Sequence, residues 1–113
     1  MSRRVVALAV VVGALVVSTG CVSLVRPSEV HVAWATARWP DATLTQLEQG
    51  RAVYVARCSG CHALHLPSEL YPEDWPEQVR EMEQEQDVVL TDDERTSMLR
   101  YLAAASEIPK NPR

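Results

Sequence analysis

The sequence predicts a small all-α domain, and three observations carry that expectation. Apolar residues recur at spacings of three and four in three separate segments. Each of those segments opens on residues that cap helices. No strand pattern, internal repeat or low-complexity tract interrupts them, and 113 residues leave room for one domain and little more.

The amino terminus is of a different kind. Met1–Arg4 carries two arginines, and Val5–Val17 is an unbroken run of 13 small or apolar residues. Ser18, Thr19, Gly20 and then Cys21 follow. A charged start, a short apolar stretch and small residues predict a secretory signal over residues 1–20. The run is shorter than the roughly 20 residues a membrane-spanning helix needs, which leaves an uncleaved anchor as the lesser alternative. The stretch VSTGC resembles the lipobox of bacterial lipoproteins, in which the cysteine is acylated and becomes the mature first residue. Ser18 departs from that pattern, since leucine is usual there. The resemblance implies a lipid on Cys21, export, and a place on the periplasmic side of a bacterial membrane. Val22, in place of an aspartate, leans toward the outer one.

Processing at Cys21 removes Arg3 and Arg4 and leaves nine basic against fifteen acidic residues, a formal −6. Such a chain is a poor partner for nucleic acid, whose phosphates need neutralising by Lys and Arg. Basic proteins or patches are the expected partners.

Residues 21–38 read as the lipidated terminus and a tether. They hold no sustained period and contain Pro27, with Trp34 and Trp39 giving at most partial order and His31 expected in solvent. The domain is expected over 39–108, with a tail at 109–113. Its first helix runs over Leu44–Arg57 behind a Thr43/Gln46 capping box. Leu47, Gly50, Val53 and Tyr54 form its apolar stripe. A glycine inside a helix costs about 1 kcal/mol against alanine, so Gly50 on that stripe predicts a close approach by another element. The helix ends by delivering Cys58.

Residues 63–71 are loop-like. A second helix starts at Asp74-Trp75-Pro76-Glu77, with Asp74 as the cap and Pro76 tolerated in the first turn. Trp75, Val79 and Met82 define its narrow apolar face. The third opens on a Thr91/Glu94 capping box, with Asp92 and Asp93 at the positive end of its dipole. Met98, Leu99, Leu102 and Ala103, with Tyr101 beside them, form its apolar side, and Pro109 ends it.

At the end of the first of these helices stands RCSGCH, Arg57 to His62. Three chemistries use two cysteines so spaced: covalent haem attachment, half of a zinc site, or a thiol–disulfide couple. Closed structural zinc needs four ligands. Cys58 and Cys61, with His62 or His65, give three, and no second CxxC or spaced histidine pair follows. A thioredoxin-like couple wants a βαβ context, absent from the pattern. Haem attachment needs two thiols one short turn apart and a histidine beside the second, as an axial ligand to the iron. Size agrees, because about 70 residues without a phenylalanine need a staple.

Gly50 with the stretch VYVARCSGCHALHLP that follows it from Val53, then DWPEQVREM and LTDDERTSMLRYLAA, resemble the small mono-haem c-type cytochromes. The similarity is spread over residues 39–105. It implies a cytochrome c-like fold of about three main helices around one haem c. Cys58 and Cys61 would hold the haem covalently and His62 would be its first axial ligand, with the Pro67 region bonding the His62 ring. The first and last helices would cross near Gly50, Tyr54, Tyr101 and Leu102. For the second axial ligand the candidates are Met82, Met98, His31 and His65. His65 is too close to His62 in sequence to reach the opposite face, and Met98 sits mid-helix, where methionine usually fills gaps. Met82, on the face with Trp75 and Val79, resembles the ligand of a subset of the family, although many members place it further from CxxCH.

The function implied is that of a carrier of single electrons between periplasmic or membrane redox partners, not itself an enzyme, either free or as a subunit of an oxidoreductase. The rival is a five-coordinate haem protein that senses or reduces a small ligand, which requires Met82 to stay off the iron. Residues 69–94 hold eleven acidic side chains against one basic, Arg80. They form either a solvated face or a docking rim for a basic redox partner.

Overall fold

The computed structural model describes residues 24–58 and 64–110. The described residues form a compact all-α domain of four helices with no strand among them. In order these are α1 (Glu29–Thr36), α2 (Leu44–Cys58), α3 (Trp75–Glu85) and α4 (Asp92–Glu107), with 3₁₀ turns at Pro67–Glu69 and Pro72–Asp74 leading into α3.

The three anticipated helices are α2, α3 and α4; α1 is additional and corrects the reading of its segment as a tether. Two residues explain why it forms. Ala35 is fully buried against Ala42 and Leu47, and His31, expected in solvent, is only 1% exposed. The backbone N–H of Ser28 donates to His31 Nδ1 at 3.1 Å. Because that nitrogen accepts, the ring's Nε2 carries the proton and donates to the Ile108 carbonyl at 2.9 Å. The imidazole thus satisfies a donor at the start of α1 and an acceptor just past the end of α4. Further upstream the chain is already inside the domain. Leu24 is 2% exposed in the main core, and the Val25 carbonyl accepts the Tyr101 hydroxyl at 2.8 Å.

The α2/α4 crossing dominates the interior. Gly50 faces the main chain of α4 so closely that a Cβ there would lie 2.0 Å from the Ser97 carbonyl oxygen and 2.9 Å from Tyr101 Cβ. The close approach expected at Gly50 is therefore real, and Ser97 and Tyr101 are its other side. Around it, Tyr54, Trp75, Val79, Met98, Tyr101 and Leu102 make one contiguous core. Met98 is fully buried there, the gap-filling place expected of it.

The helix starts match the sequence unevenly. Thr91 and Glu94 form both arms of their box, Thr91 Oγ1 accepting the Glu94 N–H at 3.1 Å and Glu94 returning a contact to the Thr91 N–H at 3.4 Å. At α2 only half of the box exists. Thr43 Oγ1 accepts from the Gln46 N–H at 3.1 Å, but the Gln46 side chain turns away to accept from Arg100 at 2.8 Å. Asp74 makes no side-chain cap at α3, because a 3₁₀ turn runs directly into the helix and leaves Asp74 in helical backbone geometry.

Candidate functional site

Two of the residues singled out in sequence meet at one cleft. Cys58 closes α2 and Met82 lies on the last full turn of α3; both line a depression of about 250 Å³ between these helices. Tyr54, Trp75, Leu64 and Val88 give it apolar walls, and Gln78, Glu81 and Glu85 edge it along the exposed side of α3. The arrangement follows from helix periodicity: residues 78, 82 and 85 fall on one face of α3. Burial pushes the Cys58 thiol up from its ordinary value, so in this apolar setting it stands as the neutral thiol.

Cys58 and Leu64, the described residues on either side of 59–63, both line this cleft. The chain beyond them is fastened twice to the core. The Tyr54 hydroxyl donates to the His65 carbonyl at 2.7 Å, and the Trp75 indole N–H donates to the Pro67 carbonyl at 3.0 Å. The two rings meet edge to face at 6.0 Å, and burial raises the Tyr54 hydroxyl well above the ordinary phenol range. Pro67 itself is buried. The loop following the CxxCH motif is therefore a fixed arm.

Cys61 and His62 lie outside the described residues, as does Cys21. The other candidates for iron are placed clearly. Met98 is enclosed in the core and does not line the cleft. His31 is committed to Ser28 and Ile108. His65 stands at the cleft edge with its ring 3.1 Å from Glu69, exposed to solvent. Among the described residues no three His, Cys, Asp or Glu side chains converge as a metal site.

The residues present fit a haem in their chemistry. A thiol and a thioether open onto one cleft whose apolar walls include the Tyr54 and Trp75 rings, with polar side chains along its rim. About 250 Å³ falls below the roughly 300–1,000 Å³ usual for sites that enclose a cofactor-sized ligand. A larger groove of about 490 Å³ lies elsewhere, between Trp34, Trp39, Pro72 and α4, but none of the candidate ligands lines it.

What sequence reasoning missed here is the pair of carbonyl anchors and the ionic grip on the end of α3. Arg95 Nε lies 3.1 Å from both carboxylate oxygens of Glu83, and its Nη1 bonds Asp92 at 2.8 Å. The Arg95 guanidinium holds the Glu83 carboxyl below the usual range. No helix among the described residues is long and apolar enough to cross a membrane. Compared with protein-family models, with curated proteins and with solved structures, the chain matches none.

Proposed function

We propose that this chain is a mono-haem c-type cytochrome of the cytochrome c-like fold, exported and lipid-anchored through Cys21 on the periplasmic side of a bacterial membrane. In this reading it carries single electrons between periplasmic or membrane partners and is not itself an enzyme. The observation that supports it most is the convergence of Cys58, from the CxxCH motif, and Met82, 24 residues later, on one cleft. Cys58 and Cys61 would hold the haem, and His62 and Met82 would be its axial ligands. When bound, the haem supplies a one-electron couple, whose potential a Met/His pair raises.

The chain's own contribution is placement and exclusion. Tyr54 and Trp75 pin the loop after the motif, and the apolar walls limit water at the site. Glu81 and Glu85, on the lip of the cleft, have no ion-pair partner among the described residues, unlike Glu77, Glu83 and Glu94. Those two are the part of the acidic run best placed to meet a basic partner at the point where electrons would leave.

The test is a visible and near-infrared spectrum of the ferric protein made with periplasmic haem attachment, with a denatured sample to establish covalency. Covalent haem with a sulfur-to-iron charge-transfer band, lost in Met82→Ala, is the expected result. Covalent haem without that band would favour the five-coordinate reading, and no covalent haem would overturn both.

A further inference from the structure

We infer that Arg95 is a positioning residue for Met82, an inference that rests on the axial role proposed above. The last turn of α3 has few apolar anchors. Trp75 and Val79 are buried at the start and middle of the helix, while Met82 is only partly buried against the core. Val79 and Glu83, four apart, share one face of α3; Gln78, Met82 and Glu85 share the face on the cleft. Whatever fixes Glu83 therefore fixes the rotation of this turn and the direction in which Met82 points.

Arg95, in the first turns of α4, supplies that grip. Its Nε lies 3.1 Å from both Glu83 carboxylate oxygens, and its Nη2 bonds Glu83 Oε1 as well. The same guanidinium bonds Asp92 at 2.8 Å and reaches the Leu90 carbonyl at 3.4 Å. One side chain thus ties both ends of the 86–91 connection, which turns through Asp87 at a φ of 53°. The planar fork suits such a grip, because two parallel N–H bonds fix orientation as well as distance. The Glu83 and Arg95 side chains are 20% and 34% exposed, so solvent weakens the pair without dissolving it. The other arginine pair within α3, Arg80 with Glu77, joins residues of the same helix in open solvent and cannot set the helix's position.

The experiment uses haem-loaded protein and measures the affinity of the ferric form for added imidazole, which competes with a methionine ligand, together with the charge-transfer band. Arg95→Gln and Glu83→Gln should each raise imidazole affinity about fivefold, the scale of a part-exposed ion pair, and Arg95→Lys should recover part of the loss of grip. Arg100→Gln, which breaks a link to Asp41 and Gln46 rather than to Glu83 or any other residue of α3, should leave the affinity unchanged. An Arg100→Gln effect as large as that of Arg95→Gln would mean general loosening and overturn the inference. So would an unchanged affinity in both Arg95→Gln and Glu83→Gln alongside a strong rise in Met82→Ala, which would leave the ligand reading intact. If Met82→Ala changes neither affinity nor band, Met82 is no ligand, and the role given to Arg95 falls with it.

Discussion

Replacing Gly50 by alanine tests the architecture at its tightest point. Two effects oppose each other. Alanine in a helix interior is favoured over glycine by about 1 kcal/mol, so at a neutral position the variant would be more stable. At Gly50 the added methyl would lie 2.0 Å from the Ser97 carbonyl oxygen and 2.5 Å from its carbonyl carbon, whereas ordinary contacts begin near 3.4 Å. Both atoms are main chain, so no rotamer change relieves the clash, and α2 and α4 must separate by more than an ångström. Overpacking of this kind costs typically 1–3 kcal/mol and occasionally more; with a rigid partner we take the upper end, for a net loss of about 2 kcal/mol after propensity is counted. In a domain of this size that lowers the melting temperature by about 8–16 °C. Urea unfolding of Gly50→Ala beside Ala52→Gly gives the measurement. Ala52 is an exposed position on the same helix and should lose about 1 kcal/mol, which isolates the propensity term. A Gly50→Ala protein as stable as the parent, or more so, would refute the crossing as described.

Other outcomes can be stated in the same terms. His31→Leu leaves the Ser28 N–H and the Ile108 carbonyl without their partner and should destabilise by about 2–3 kcal/mol; a urea midpoint within error of the parent would place that ring in solvent after all. Burial raises the Tyr101 hydroxyl to about 12 from an ordinary value near 10. The neutral phenol is the folded form, so this contribution is complete below about pH 10 and is lost as pH rises through about 12. Tyr54 is shifted in the same direction, and unfolding midpoints that stay level across that window would contradict both placements. For the loaded protein, electron transfer with a basic partner should slow as ionic strength rises, and the slope should shrink in Glu81→Gln/Glu85→Gln; an unchanged slope would remove those two residues from the docking rim.

Helices α2, α3 and α4 were legible because periodicity and caps agree there, and Gly50 announced its own crossing by being costly where it stood. Helix α1 was not. Its buried stripe is one histidine and one alanine four residues apart, and the histidine's value lies in two partners, one of them 77 residues away. The one local clue was Ser28 directly after Pro27, a start signal without an apolar stripe behind it. Gln46 shows the same override, where a tertiary partner, Arg100, took the side chain that local capping rules assign to the backbone. At the candidate site, Cys58 and Met82 were readable as residue types at a spacing. The Glu83–Arg95 grip was hidden because a carboxylate in an acidic run looks the same whether it is solvated or held.

The burial of Leu24 bears on how such a carrier would travel. With Cys21 acylated as proposed, only Val22 and Ser23 stand between it and Leu24, which is packed in the core, and three Cα-to-Cα steps reach about 11 Å at full extension. That is a mooring rather than a leash. The protein could not sweep a hemisphere above the bilayer in search of a distant acceptor, so its encounters would be lateral. A partner would have to offer its own redox centre close to the same membrane plane.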